Sequence, residues 1–275
     1  MLLPLLLALQ APSTLPTMEE VQLDECLATA AQDPKSGIVN ANEWLGKNGG
    51  WRARQCLGFA YHKEGNYKAS EAAFVQAVAE AERQKSSDAG KLWLQAGNAA
   101  LAGGDGARAV THFDAAIAKG GFTGEALGEV YIDRARANGT KGDMAAVKAD
   151  LVKAHELVPQ DPLGWLLSAT LARREGDLAR ARADIAIAAK IATEDPAIAL
   201  EAGNIAISAN DTAGARKNWQ AAIDLSPESP YAATAKAHLA QLDAMEKEGG
   251  AAPAAAKPAP AAPAPSAVPP KPQAR

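Results

Sequence analysis

Small, large and polar residues follow one another along this chain at spacings that predict pairs of α-helices. Apolar residues three and four positions apart share one face of a helix. Between residues 51 and 229 such segments come in pairs, and a short polar turn separates the two members of each pair. The turns lie 39, 38, 34 and 34 residues apart, at Gly65-Asn66, Gly104-Asp105, Gly142-Asp143, Gly176-Asp177 and Asn210-Asp211. This nearly constant period predicts a stack of helical hairpins.

Each predicted hairpin has small residues where its two helices would cross. On the first helix one small position recurs, at Gly58, Gly97, Ala135, Ala169 and Gly203. On the second helix a small residue lies four positions before a large one, so that the two side chains share one face of the helix. The large residues are Phe74, Phe113, Leu151, Ile185 and Trp219. Three positions later an alanine leaves room for the next hairpin, at Ala77, Ala116, Ala154, Ala188 and Ala222.

These residues resemble the tetratricopeptide repeat (TPR), whose pattern is W-x2-L-G-x2-Y, then A-x3-F, then P. Leu57, Gly58 and Tyr61 fit its first helix, although Arg54 replaces the leading aromatic residue, and Phe74 fits its second helix. The resemblance covers roughly residues 51 to 247. It implies an all-α solenoid, a right-handed superhelix of helix hairpins, in which the first helices line a concave groove that binds protein or peptide segments.

The chain is predicted to divide into a start, repeats, a cap and a tail. A single amphipathic helix after the last hairpin is suited to cap the open end of a solenoid. An Ala/Pro-rich segment cannot bury enough apolar surface to fold. The predicted regions are a signal or disordered start at 1–17, a degenerate helical hairpin at 18–50, five repeats at 51–89, 90–127, 128–161, 162–195 and 196–229, a capping helix at 230–248 and a disordered tail at 249–275.

The first residues and the two cysteines favour export. Leu2 to Leu9 is a short apolar run that precedes small residues, as in a signal peptide, although no basic residue comes before it. In an oxidising compartment Cys26 and Cys56 can form a disulfide, and we expect that pair. The alternative is two small core residues that never meet. We therefore expect an exported, periplasmic protein of a bacterial envelope, with a cytoplasmic protein as the alternative.

No set of residues predicts catalysis or cofactor binding. The four histidines fall at unrelated repeat positions, two cysteines without a nearby histidine make an incomplete zinc shell, and no phosphate-binding loop follows a strand. Residues 1–250 carry 25 basic and 32 acidic side chains, a charge that repels nucleic acid. The sequence predicts no enzyme activity, no cofactor, no metal and no integral membrane span, and it leaves the oligomeric state open.

The remaining candidate site is the outward surface of the first helices. Amides and guanidinium groups there, with aliphatic side chains such as Leu101, Ile132 and Leu200 between them, would suit an extended peptide. The predicted groove residues are Arg52, Gln55, Phe59, Asn98, Arg136, Arg173 and Asn204. The predicted function is a noncatalytic scaffold that binds protein or peptide. Two alternatives remain, a cytoplasmic TPR adaptor and a subunit that holds the substrate of an enzyme complex.

Overall fold

The computed structural model describes residues 15–247, which form 13 α-helices and no strand. The chain forms two compact parts with a boundary between Ser86 and Ser87. The first part contains α1 (Met18–Gln32), α2 (Pro34–Gly46), α3 (Gly50–Glu64) and α4 (Tyr67–Arg83). The second part contains α5 (Ala89–Ala102), α6 (Gly106–Lys119), α7 (Gly124–Lys141), α8 (Met144–Leu157), α9 (Pro162–Glu175), α10 (Leu178–Ile191), α11 (Pro196–Ser208), α12 (Thr212–Leu225) and α13 (Pro230–Lys247).

The polar turns of the sequence begin the second helix of each hairpin. The first turn residue has a positive φ, from 59° at Asn210 to 84° at Gly65, a conformation that glycine adopts without strain. The second turn residue is the N-cap, and its side-chain oxygen accepts a hydrogen bond from a backbone N–H three residues later. Such a cap stabilises a helix by about 1 kcal/mol. The five N-caps are Asn66, Asp105, Asp143, Asp177 and Asp211.

The two helices of a hairpin cross closely where the sequence has glycine on the first helix. A Cβ atom on Gly97 would lie 2.5 Å from the ring of Phe113, and one on Gly58 would lie 2.9 Å from the ring of Phe74. Both distances are shorter than van der Waals contact allows, so the rings occupy the space that a side chain would need. The small residue of the first helix and the large residue of the second helix therefore meet in these hairpins.

Residues 87–247 form an unbroken stack of helices. Each helix packs against the next one in the chain, and each first helix also packs against the first helix of the following hairpin. The alanines that the sequence predicts at the contacts between hairpins have no exposed surface; they are Ala116, Ala154, Ala188 and Ala222. The last helix, α13, contacts α12 and α11 in the same way, so it takes the place of a further first helix.

Residues 15–86 form a smaller stack, in which α1 packs on α2 and α3, and α3 pairs with α4. A disulfide joins Cys26 of α1 to Cys56 of α3, with the Cα atoms 6.0 Å apart. Both sulfur-bearing side chains are buried together with Ala41. The bond thus links two helices that are neighbours in the stack.

The expectation of an all-α solenoid of helix hairpins is confirmed for residues 15–247. Most of the predicted signal segment at 1–17 and the whole predicted tail at 249–275 lie outside the described residues. None of the helices in the described part combines the length and the apolar character that crossing a membrane requires.

Candidate functional site

The candidate site lies on the surface formed by the first helices of residues 87–247. These helices, α5, α7, α9 and α11, lie side by side with α13 after them, and we call their common surface the first-helix face. The residue after the small crossing position is partly exposed in α5, α7, α9 and α11, and so is the residue of α13 that lies 34 positions after the one in α11. These equivalent residues are Asn98, Arg136, Thr170, Asn204 and His238.

Three polar side chains connect α5 to α7 on this face. Arg136 donates a hydrogen bond from Nη1 to Oδ1 of Asp133 at 3.0 Å. The side-chain amide of Asn98 donates to the same carboxylate. Burial raises the pKa of Asp133 above its ordinary value, and the charge of Arg136 opposes this rise. Asp133 therefore holds Asn98 and Arg136 in place, so neither side chain points freely into solvent.

A second polar group connects α9, α11 and α12. Arg173 donates to Glu201 through two hydrogen bonds, from Nε at 2.7 Å and from Nη2 at 3.3 Å. Asn204 donates to the same carboxylate at 3.0 Å and accepts a hydrogen bond from Nε1 of Trp219 at 3.1 Å. The side chain of Glu201 is only 9% exposed, which makes this a largely buried ion pair. Its four members fix one another's orientation.

The last helix extends this polar group onto α13. The ring of His238 meets the ring of Trp219 edge to face, with 5.0 Å between the centroids. Burial lowers the pKa of His238, the charge of Arg173 lowers it further, and the charge of Glu201 opposes the change. His238 is therefore close enough to Arg173 and Glu201 for their charges to change its pKa. We call Arg173, Glu201, Asn204, Trp219 and His238 the C-terminal polar cluster.

Tyr231, near the start of α13, is partly buried. Burial raises the pKa of the Tyr231 phenol, the Asp195 carboxylate raises it further and the Arg136 guanidinium lowers it. Electrostatic effects between partly exposed groups fade over about 10 Å in salt. The phenol of Tyr231 therefore lies within electrostatic reach of side chains from both α7 and the start of α11.

The other predicted groove residues lie on α3, in residues 15–86. Arg52 forms an ion pair with Glu19 of α1 at 2.7 Å and lies over the ring of Trp51. The ring of Phe59 is half-buried, with the Lys63 amino group 6.0 Å from its centroid. Gln55 is half-buried on the same helix. These three side chains are partly exposed, but Arg52 is already committed to an ion pair.

No protein-family model matches this sequence, and no curated protein matches it either. Solved structures do match. The chain is 15% identical to PilF of Pseudomonas aeruginosa, with 80% of this chain and 97% of that chain covered and a TM-score of 0.63. It is also 15% identical to PilW, a type IV pilus biogenesis factor, with 80% and 99% covered and a TM-score of 0.66. The assembly chaperone Acl4 of RpL4 matches at 15% identity, with 85% and 99% covered and a TM-score of 0.55.

The chain has the TPR fold. Its last three hairpins repeat at intervals of 34 residues, the length of this repeat, and small first-helix residues meet large second-helix residues as the repeat requires. The likeness to the solved structures is a likeness of fold, because the sequence identities are low.

Several predicted outward positions are in fact buried in this TPR stack. Leu101, Ile132 and Leu200 are at most 6% exposed. They pack in the apolar clusters of the stack, where neighbouring helices cover them. The predicted groove residues Asn98, Arg136, Arg173 and Asn204 lie on the first-helix face, but each is bound to a neighbouring carboxylate.

The groove residues predicted from the sequence do not include Trp219, Tyr231 or His238. A usable signal was present, because Pro162, Pro196 and Pro230 begin their helices at intervals of 34 residues. That interval marks α13 as a further first helix, and it places Tyr231 and His238 at the repeat positions of groove residues. The amphipathic pattern of this helix by itself predicts only a cap.

The four histidines of the TPR stack pack against aromatic rings. His62 meets Tyr67, His112 meets Trp93, His155 meets Trp165, and His238 meets Trp219. Among residues 15–247 no group of three or more His, Cys, Asp or Glu side chains is placed to hold a metal ion. These histidines therefore belong to the packing of the hairpins.

Proposed function

We propose that this protein is a noncatalytic scaffold whose first-helix face binds an extended segment of a partner protein. The observation that carries the proposal is the alignment of Asn98, Arg136, Thr170 and Asn204, which hold one repeat position on four neighbouring helices. A row of polar side chains suits an extended chain, because the backbone of such a chain offers hydrogen-bonding groups at regular intervals.

The ion pairs on this face support a rigid binding surface. Asp133 fixes Asn98 and Arg136, and Glu201 fixes Arg173 and Asn204. Side chains that are held before binding lose less conformational entropy when a partner arrives. A partner can therefore use the remaining hydrogen-bonding groups of Arg173 and Asn204 without ordering these side chains first.

We also propose that the protein works in a bacterial envelope. The disulfide between Cys26 and Cys56 supports this location, because disulfides persist in oxidising compartments. The likeness in fold to PilF and PilW supports it as well, since PilW is named as a type IV pilus biogenesis factor. Mass spectrometry of the protein from its native source tests the proposal. A cleaved N-terminus and no free thiol are expected, whereas an intact Met1 with two alkylated thiols would place the protein in the cytoplasm.

Affinity capture from the native source tests the binding proposal. The test variant combines Asn98→Ala with Arg136→Ala, and the control combines Arg182→Ala with Gln220→Ala on the exposed sides of second helices. Each desolvated polar contact is worth about 1 to 3 kcal/mol, so the test variant is expected to weaken binding tenfold or more. The control variant is expected to bind as the unmodified protein does.

Deleting residues 251–275 tests whether the partner binds the repeats or the tail. The deletion is expected to leave capture of the partner unchanged, because the proposal assigns binding to the first-helix face. Normal capture by a folded Asn98→Ala, Arg136→Ala protein would show that the site is elsewhere, and so would loss of capture on deletion of the tail. Circular dichroism establishes that each variant is folded.

A further inference from the structure

An open cavity of about 280 Å³ lies on the side of α7 that faces away from the first-helix face. α6 and α8 both pack on α7 and form the walls of this cavity. Arg134, Asn138 and Lys141 of α7 line it, and their spacing of four and three positions places them on one face of the helix. Arg136 of the first-helix face follows Arg134 by two positions, which is about 200° around the helix. The cavity and the first-helix face are therefore separate surfaces.

Asn138 is a polar side chain at a repeat position that the neighbouring hairpins fill with alanine. Ala100, Ala172 and Ala206 lie at the same distance after the small crossing residue, and all three are buried. Asn138 is only 4% exposed. Its Nδ2 donates to Asp150, whereas its Oδ1 accepts no hydrogen bond within the described residues. The wall of the cavity therefore contains a buried acceptor without a partner, which the packing of the hairpin does not require.

Two carboxylates at the cavity each have one oxygen that accepts no hydrogen bond in the part of the chain that the structure describes. Asp143 caps α8 through Oδ1, and its Oδ2 is unpaired. Asp114 accepts from Arg134 through Oδ1, and its side chain is 56% exposed. With Asp150 the cavity has three carboxylates, against the two cations Arg134 and Lys141. It therefore has one excess negative charge, and its unpaired oxygens suit a ligand that brings N–H donors.

The groups around the cavity suit an arginine side chain better than a metal ion. Among residues 15–247 no group of three or more His, Cys, Asp or Glu side chains is placed to hold a metal. A guanidinium group carries five N–H donors in one plane and can therefore serve several separate acceptors. Its carbon chain can pack along Val110, Ala146 and Ala149, which also line the cavity. Pockets for drug-sized ligands begin at roughly 300 Å³, so this cavity has room for a single side chain.

We propose that this cavity binds an arginine side chain of a partner protein. The guanidinium group donates to Oδ1 of Asn138 and to Oδ2 of Asp143, and its charge balances the excess negative charge of the cavity. The partner thus brings a basic residue to the side of the stack where α6 and α8 lie. This proposal goes beyond the proposed function, because the site lies outside the first-helix face.

Three synthetic peptides test the cavity in NMR titrations at millimolar concentration. The first is the acetylated and amidated peptide Gly-Ala-Arg-Ala-Gly, and the second and third carry lysine and citrulline in place of the arginine. Citrulline has nearly the shape of arginine but no charge. The signals to follow are the side-chain amide of Asn138 and the Nε–H of Arg134. Saturable shifts are expected with the arginine peptide, about fivefold weaker binding with the lysine peptide and no saturable shift with the citrulline peptide.

Three variants and two matched controls make the result specific. Asn138→Ala installs the residue of the neighbouring hairpins, so it is expected to fold and to weaken binding about tenfold. Asp143→Asn keeps the N-cap but removes the charge, and about threefold weaker binding is expected. Ala149→Leu fills the cavity and is expected to abolish binding. The controls are Asp177→Asn at the N-cap of α10 and Ala183→Leu at an exposed position of α10, and both are expected to bind normally.

The absence of a saturable shift with the arginine peptide would overturn this site, and so would equal binding of the citrulline peptide. Unchanged binding by a folded Asn138→Ala or Ala149→Leu protein would overturn it too. Equal binding of the lysine peptide would overturn the assignment to arginine. Circular dichroism establishes that each variant is folded. None of these outcomes depends on Asn98 or Arg136, so the proposed function is tested separately by capture of the native partner.

Discussion

Gly203 lies against the indole ring of Trp219, where the first and second helices of the last hairpin cross. A Cβ atom on Gly203 would come within 2.4 Å of the ring. The same indole donates its N–H to Asn204, which lies on the first-helix face. The close crossing of the two helices and the polar cluster of the candidate site are thus joined through one side chain.

Gly203→Ala is expected to destabilise the protein. The added methyl group must displace a ring that is only 3% exposed, and such overpacking costs about 1 to 3 kcal/mol. Urea unfolding measures the change, and the indole N–H signal of Trp219 is expected to shift in the folded variant. The control is Gly139→Ala, whose Cβ would meet only Val147 at 3.8 Å. It is expected to be neutral or slightly stabilising, and an equal loss in both variants would contradict the account of the crossing.

The disulfide is expected to stabilise residues 15–86. Of the α1 side chains only Cys26 and Ala30 are buried, so α1 has little apolar surface with which to hold its place. A bond that closes 30 residues stabilises a fold by roughly 3 to 4 kcal/mol when it restricts the unfolded chain. Replacing both cysteines by serine should lower the urea midpoint of this part, and hydrogen exchange should quicken first in α1. Unchanged exchange in α1 would show that the bond does not hold the helix.

Stability is expected to fall as the pH drops below about 6.5. Burial lowers the pKa of His238 and of His62, so each ring stays neutral in the folded protein at a pH where the unfolded chain takes up a proton. The unfolded state then binds more protons, and stability decreases with falling pH until the folded pKa is passed. NMR titration of the ring protons should place both pKa values below 6.5. His238→Gln should flatten the pH dependence of residues 87–247, and an unchanged slope would exclude His238 as its source.

The hairpins could be predicted from the sequence because their signals are local. A glycine before an aspartate marks a turn, and a small residue opposite Phe113 or Trp219 marks a crossing. Both depend on spacing within one hairpin, as the observed Gly97 and Gly203 contacts show. The number and type of helices follow from such signals without knowledge of how the hairpins stack.

The polar clusters could not be predicted in the same way, because they form between hairpins. Cys56, Asp133 and Glu201 each lie two positions before the small crossing residue of their helix. In the structure each of them contacts a preceding helix, through a disulfide, an amide and an arginine respectively. Only the packing of one hairpin on another shows that the side chain at this position faces the preceding helix. Spacing within one hairpin therefore does not show that Asp133 binds Asn98 or that Glu201 binds Arg173.

The most direct test of the account is photocrosslinking from the two sides of the stack. A photoreactive phenylalanine replaces Thr170 on the first-helix face in one protein and Ala186 on the exposed side of α10 in another. Each is irradiated in cells of the native source, and the adducts are mapped by mass spectrometry. The account predicts a specific partner adduct from position 170 and none from position 186. A partner adduct from position 186 alone would contradict it.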